Sequence, residues 1–115
     1  MKPLTLFKSL ADDTRLKCML LIKDQGELCV CELMEALDQG QPKVSRNLAL
    51  LRSESLLQST KQGQWVYYSL HQDLPDWVSE LLETTLQNSP TTIATNLESL
   101  EKMGDRPERL SLCCD

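Results

Sequence analysis

The sequence predicts a mainly α fold carrying one small β-hairpin, and three observations lead there. Apolar residues recur at intervals of three and four over most of the chain. Two short runs of that pattern, one built on Val30, Leu33 and Leu37 and the next on Val44, Leu48 and Leu51, are separated by the turn-like stretch "DQGQP". The segment that follows, "LLQSTKQGQWVYYSL", changes to alternating apolar and polar residues and is rich in Trp, Val and Tyr. A period near 3.6 marks a helix with one buried face, and a period of two marks a strand.

The elements follow in order. In "PLTLFKSLADD", Leu4, Phe7 and Leu10 recur at helical spacing. In "DDTRLKCMLLIKDQGE" a helix opens on acidic residues and stops at Gly26, with Leu16, Met19 and Leu20 turned inward and Leu21 and Ile22 widening the stripe. Cys18 lies among them and reads as a buried structural thiol, because an unpaired Cys behaves as a small apolar side chain. The two short helices around "DQGQP" come next, with Pro42 in the first turn of the second, where a missing N–H costs nothing. A helix pair joined by a tight Gly-containing turn is a helix-turn-helix, and the hairpin broken at "KQGQ" makes it the winged variant. Two amphipathic segments close the domain. Trp77, Leu81 and Leu82 mark the first, which with the N-terminal helix is expected to give an apolar subunit interface, so the fold is expected to be dimeric. Ile93, Leu97 and Leu100 mark the second. Residues 1–103 are read as the DNA-binding and dimerisation domain, and residues 104–115, Gly-, Pro- and charge-rich, as a flexible cysteine-containing tail.

At 115 residues the chain is large enough for one modest core, and 41% hydrophobic with 25% charged residues is ordinary globular composition. No apolar run approaches the roughly 20 residues that cross a bilayer, so a cytoplasmic protein without a membrane partner is expected. Five cysteines in a reducing compartment argue for buried or ligating thiols over a disulfide framework. The net charge of −5 does not exclude DNA, because residues 41–70 carry a local excess of three positive charges and the acid lies elsewhere. With Val44, Leu48 and Leu51 turned inward, the other face of the second helix of the pair offers Gln41, Lys43, Ser45, Arg46 and Asn47. These are donors and acceptors suited to base edges and phosphates, with no acid among them. Lys61, Gln62 and Gln64 at the hairpin tip could reach backbone or minor groove. An enzyme is not expected: there is no nucleophile triad, no phosphate-cradling glycine loop and a single histidine, His71.

The run "LFKSLADDTRLKCMLLI…GELCVCELMEALDQGQPKVSRNLALLRSESLLQSTKQGQWVYYSL" resembles the ArsR/SmtB family of metal-sensing repressors, and within it the arsenic-responsive branch. The resemblance covers about residues 4 to 80. It implies a homodimeric repressor that sits on double-stranded operator DNA when empty and leaves when Cys29, Cys31 and a third cysteine take one As(III) or Sb(III) ion. Cys29 and Cys31 match the first two ligand positions, while Met34 stands in the third. Met34, Cys18, and Cys113 or Cys114 remain as candidates for the missing sulfur. A zinc site built from Asp and His on a later helix of some relatives has no counterpart, since His71 precedes that helix. Two rivals stay open, a cadmium/lead sensor with four sulfurs and a repressor whose thiols sense oxidation.

The spacing adds a mechanical condition. Soft thiolates select soft ions. At about 100° per residue, side chains two apart on a helix point roughly 200° apart, so Cys29 and Cys31 cannot close on one atom while both are helical. In extended backbone they share a face. Gathering both sulfurs therefore needs a start of this helix that is, or becomes, non-helical.

Overall fold

The computed structural model describes residues 1–106 and 109. Its central element is α2 (Asp13–Gln25), whose run Cys18 to Ile22 is fully buried. Asp12 caps it by accepting from the Arg15 amide at 3.0 Å, and Gly26 ends it at φ 91°, a left-handed value that a side chain would resist. Around it pack α1 (Pro3–Leu10), α4 (Gln41–Ser53) and α5 (Asp76–Asn88).

The sequence places α1 correctly. Leu6 is fully buried and Ser9 nearly so, while Leu4 and Phe7 stand 66% and 53% exposed. Leu4 and Phe7 thus stand on the outer side of α1, while Leu10 at its end is half-buried against the core.

A strand the periodicity does not reveal, β1 (Glu27–Cys29), follows the Gly26 stop. It pairs antiparallel with β3 (Trp65–Leu70), which also pairs with β2 (Leu57–Gln62), giving the sheet order β1-β3-β2. The β2–β3 wing turns through Gly63 and Gln64, where Gly63 takes φ 64°. Helix α3 (Val30–Leu37) starts at the residue after β1 and buries Leu33, Ala36 and Leu37.

The turn to α4 keeps the expected place with a different pivot. Its left-handed residue is Asp38, at φ 53°, whereas Gly40 sits at an ordinary −73°. Asp tolerates that region because its short polar chain can bond locally. Val44, Leu48 and Leu51 seat α4 in the core at zero exposure. A single 3-10 turn (Pro90–Thr92) leads to α6 (Ala94–Lys102), which lies on α3 and anchors there by the Asn96 side chain donating to the Ala36 carbonyl at 2.8 Å.

Candidate functional site

Two places carry polar or nucleophilic groups that the core does not explain. The first is the start of α4 with the wing. Gln41, Lys43 and Arg46 are exposed, Ser45 is half-buried, and no acid lies in the first turn. Lys61, Gln62 and Gln64 are exposed at the wing tip, and Arg52 ties α4 to β2 by donating to Ser59 Oγ at 3.3 Å.

Asn47 departs from the expected outward face. It is 7% exposed, donates through Nδ2 to the Lys43 carbonyl at 2.9 Å, and accepts on Oδ1 from Arg15 Nη1 at 3.2 Å. The physical reason is helical spacing: residue 47 lies three after Val44 and four before Leu51, on the core side of the cylinder. Arg15, which the sequence did not single out, also donates to the carbonyls of Ser9 at 2.7 Å and Lys8 at 3.4 Å. One guanidinium thereby joins the end of α1 to the recognition helix.

The second place is the junction of β1 and α3. Cys29 is the last residue of β1, extended at φ −89° and ψ 168°, and 3% exposed. Cys31, in the first turn of α3, is half-buried. The helix thus begins between the two cysteines, one extended and one helical. Cys31 is disulfide-bonded, and reduction would return its sulfur to a thiol.

Beneath the pair sits a carboxylate that the sequence pattern does not announce. Glu32 is fully buried and accepts on Oε1 from the Cys29 amide at 3.0 Å, the reach-back of a capping box. Arg106 donates to its Oε1 at 2.6 Å and to its Oε2 at 3.2 Å, and Arg109 to Oε2 at 3.0 Å. Burial pushes the Glu32 carboxyl up, but the bonds from Arg106, the Cys29 amide and Arg109 outweigh it and hold the group below the usual carboxylate range. Arg106 also meets Glu27 Oε1 at 3.3 Å and lies over the Tyr67 ring at 4.6 Å. Arg106 and Arg109 belong to the stretch expected to be a flexible tail from residue 104, yet both are anchored, because a buried carboxylate needs its countercharge. A hint was present in the spacing Cys29-x-x-Glu32, but the partners lie 74 and 77 residues away.

The candidates for a third sulfur separate. Cys18 is fully buried, and burial, then the charge of Asp12, pushes its thiol up to about 12. Met34 lines a groove of about 630 Å³ between α3 and α6 together with Cys31 and Met103. Cys113 and Cys114 lie outside the described residues. Among the described residues no three His, Cys, Asp or Glu side chains come together as a metal site.

A recognition helix with an open polar face, a basic wing beside it and a thiol pair at the head of the preceding helix define a winged helix-turn-helix transcriptional regulator. Residues 12–59 match the family model described as bacterial regulatory protein, arsR family. The arsenic resistance transcriptional regulator ArsR2 of Pseudomonas putida is 54% identical over 112 residues, covering 97% of each chain. The arsenical resistance operon repressor of Escherichia coli K12 is 41% identical over 111 residues, 96% of this chain and 95% of that one. Among solved structures, the AntR antimony-specific transcriptional repressor superposes with a TM-score of 0.64 at 30% identity, covering 76% of this chain and 77% of that one. The chain belongs to the ArsR family. Its relatives are transcriptional regulators and not enzymes, in agreement with the expectation from sequence.

Proposed function

We propose that this protein is a homodimeric repressor that holds operator DNA when empty and lets go when Cys29 and Cys31 take As(III) or Sb(III). The observation that carries the reading is the position of the pair: it straddles the strand-to-helix boundary at the head of the helix-turn-helix. Cys29 is already extended, so closing both sulfurs on one ion asks only that the first turn of α3 unwind around Cys31. That turn leads through α3 to α4, which gives a route from inducer to recognition helix. Soft sulfur donors fit a thiophilic ion, and the third comes from outside the pair, with Cys113 or Cys114 as candidates.

On the DNA side, Gln41, Lys43, Ser45 and Arg46 face the groove while Lys61, Gln62 and Gln64 approach the flanking backbone. Asn47 supports them from the core side. The exposed apolar residues Leu4 and Phe7 on α1 and Trp77 on α5, the last 41% exposed, support a subunit interface made by those two helices. No described helix is long and apolar enough to cross a membrane.

The test uses reduced protein on fluorescent operator DNA. Arsenite releases the parent, whereas Cys29→Ser and Cys31→Ser bind DNA and stay bound; loss of DNA binding without arsenite would make the thiols structural. A count of three sulfurs around arsenic by X-ray absorption supports the reading. Four sulfurs, with cadmium bound more tightly than arsenite, turns it into the cadmium/lead type. The disulfide at Cys31 favours a second reading, release by oxidation. Mild peroxide releasing the DNA while arsenite does not would establish that one instead.

A further inference from the structure

Neither base recognition nor ion ligation uses Glu32, Arg106 and Arg109, yet these three close on the amide of a proposed inducer ligand. The Glu32 carboxylate receives the Cys29 amide, the fork of Arg106 and one arm of Arg109. Arg106 then spreads over Tyr67, which is 5% exposed and packs with Cys29 in a small apolar cluster. The thiol nearest the sheet is therefore roofed, and its backbone is tied to the helix it precedes.

We propose that the Glu32–Arg106–Arg109 clasp sets the inducer threshold, by stabilising the empty, operator-binding arrangement of the β1–α3 junction. The inference rests on the reading of Cys29 and Cys31 as inducer ligands. Drawing the two sulfurs onto one ion unwinds the first turn of α3, and that motion separates the Cys29 amide from Glu32 Oε1. The link from the Cys29 amide to the clasp therefore belongs to the empty state alone. A contact made in only one of two states shifts the balance toward it, and the inducer must supply the difference. Arg106 and Arg109 act as positioning residues, since they bear on the ligands through Glu32, Tyr67 and Glu27 and not directly.

The experiment uses the reduced full chain. Arg106→Gln removes the fork and the charge over Tyr67 but touches no DNA-facing residue. The arsenite midpoint for operator release is expected to fall about tenfold and carboxamidomethylation of Cys29 by iodoacetamide to quicken by a similar factor, with operator affinity before arsenite held within about twofold. Arg106→Lys, which keeps one ion pair without the fork, is expected to fall between. Val78→Ala, a core change on α5 away from the clasp, is the control for general loosening. If Arg106→Gln leaves midpoint and alkylation at parent values, or Val78→Ala moves both as far, the proposal is overturned. Absence of any arsenite response in the parent instead sinks the ligand reading, and the threshold with it, so the two failures are told apart.

Discussion

The start of α4 at Gln41 and the start of α3 at Val30 belong to one helix pair and are opposite in design. The first keeps its polar groups in water: Lys43, Arg46 and Gln41 stand free of the core, and the helix is held from behind by Val44, Leu48 and Leu51. The second hides its polar groups: Glu32 is buried, a pair of arginines from the far end of the chain satisfies its carboxylate, and that carboxylate in turn takes the amide of the buried Cys29. A surface meant for a large charged partner has to be open before the partner arrives. A site that takes a small ion, as proposed for the second, can be closed, because opening it would be part of the response.

The contrast breaks most easily at Glu32. Glu32→Ala leaves the Cys29 amide and two guanidinium groups without their acceptor, and is expected to lose about 3 kcal/mol in urea denaturation, the low end for a broken buried pair because Arg106, 32% exposed, can turn to water. A loss below about 1 kcal/mol would mean the carboxylate is not the centre of the junction. On the open side, Arg46→Ala is expected to weaken operator binding on the order of tenfold with no change in melting temperature. Lys61→Ala should lower affinity and flatten the salt dependence by about one unit of slope. If both variants footprint like the parent, the DNA face lies elsewhere.

Asn47→Ala sharpens the boundary between the regions, since Asn47 sits on α4 but points inward. It should lose about 1–2 kcal/mol of stability through the Arg15 and Lys43 bonds while keeping the base preference of the parent. A changed preference with unchanged stability would return it to the outward face. The smallest effect is expected at Cys18. Its thiol is raised from an ordinary value of 9.0 to about 12, so it stays protonated and unalkylated by iodoacetamide at pH 8 in native protein. Because that shift is upward, its contribution to stability is whole below the ordinary thiol value and fades as pH climbs toward 12. Rapid native labelling of Cys18 would contradict its place in the core.

Where the sequence could be read and where it could not follows from the range of the forces involved. Val44, Leu48 and Leu51 announce their helix because burial is periodic along the chain, and "KQGQ" announces its turn because Gly63 needs a positive φ. The family resemblance led to Cys29 and Cys31. Strand β1 stayed hidden, since three residues are too few to show a period and its partner is β3, some 40 residues on. Asn47 misled by residue type: a polar amide was assigned to the polar face although its spacing matched the apolar stripe. The Glu32 clasp left almost no local trace, because ion pairs across more than 70 residues have no period to detect.

The sheet order β1-β3-β2 gives the junction a second outlet. Cys29 lies opposite Tyr67, Tyr67 opposite Thr60, and one rung further Lys61 opposite Val66 at the approach to the wing tip. On the proposed reading, a displacement of Cys29 has two routes open to it, sideways through the ladder toward the wing and forward along α3 toward α4. The two elements proposed to face DNA would then share one point of mechanical input, and a wing tip shifting along with α4 would loosen its hold on the duplex as a pair of jaws does, both sides at once.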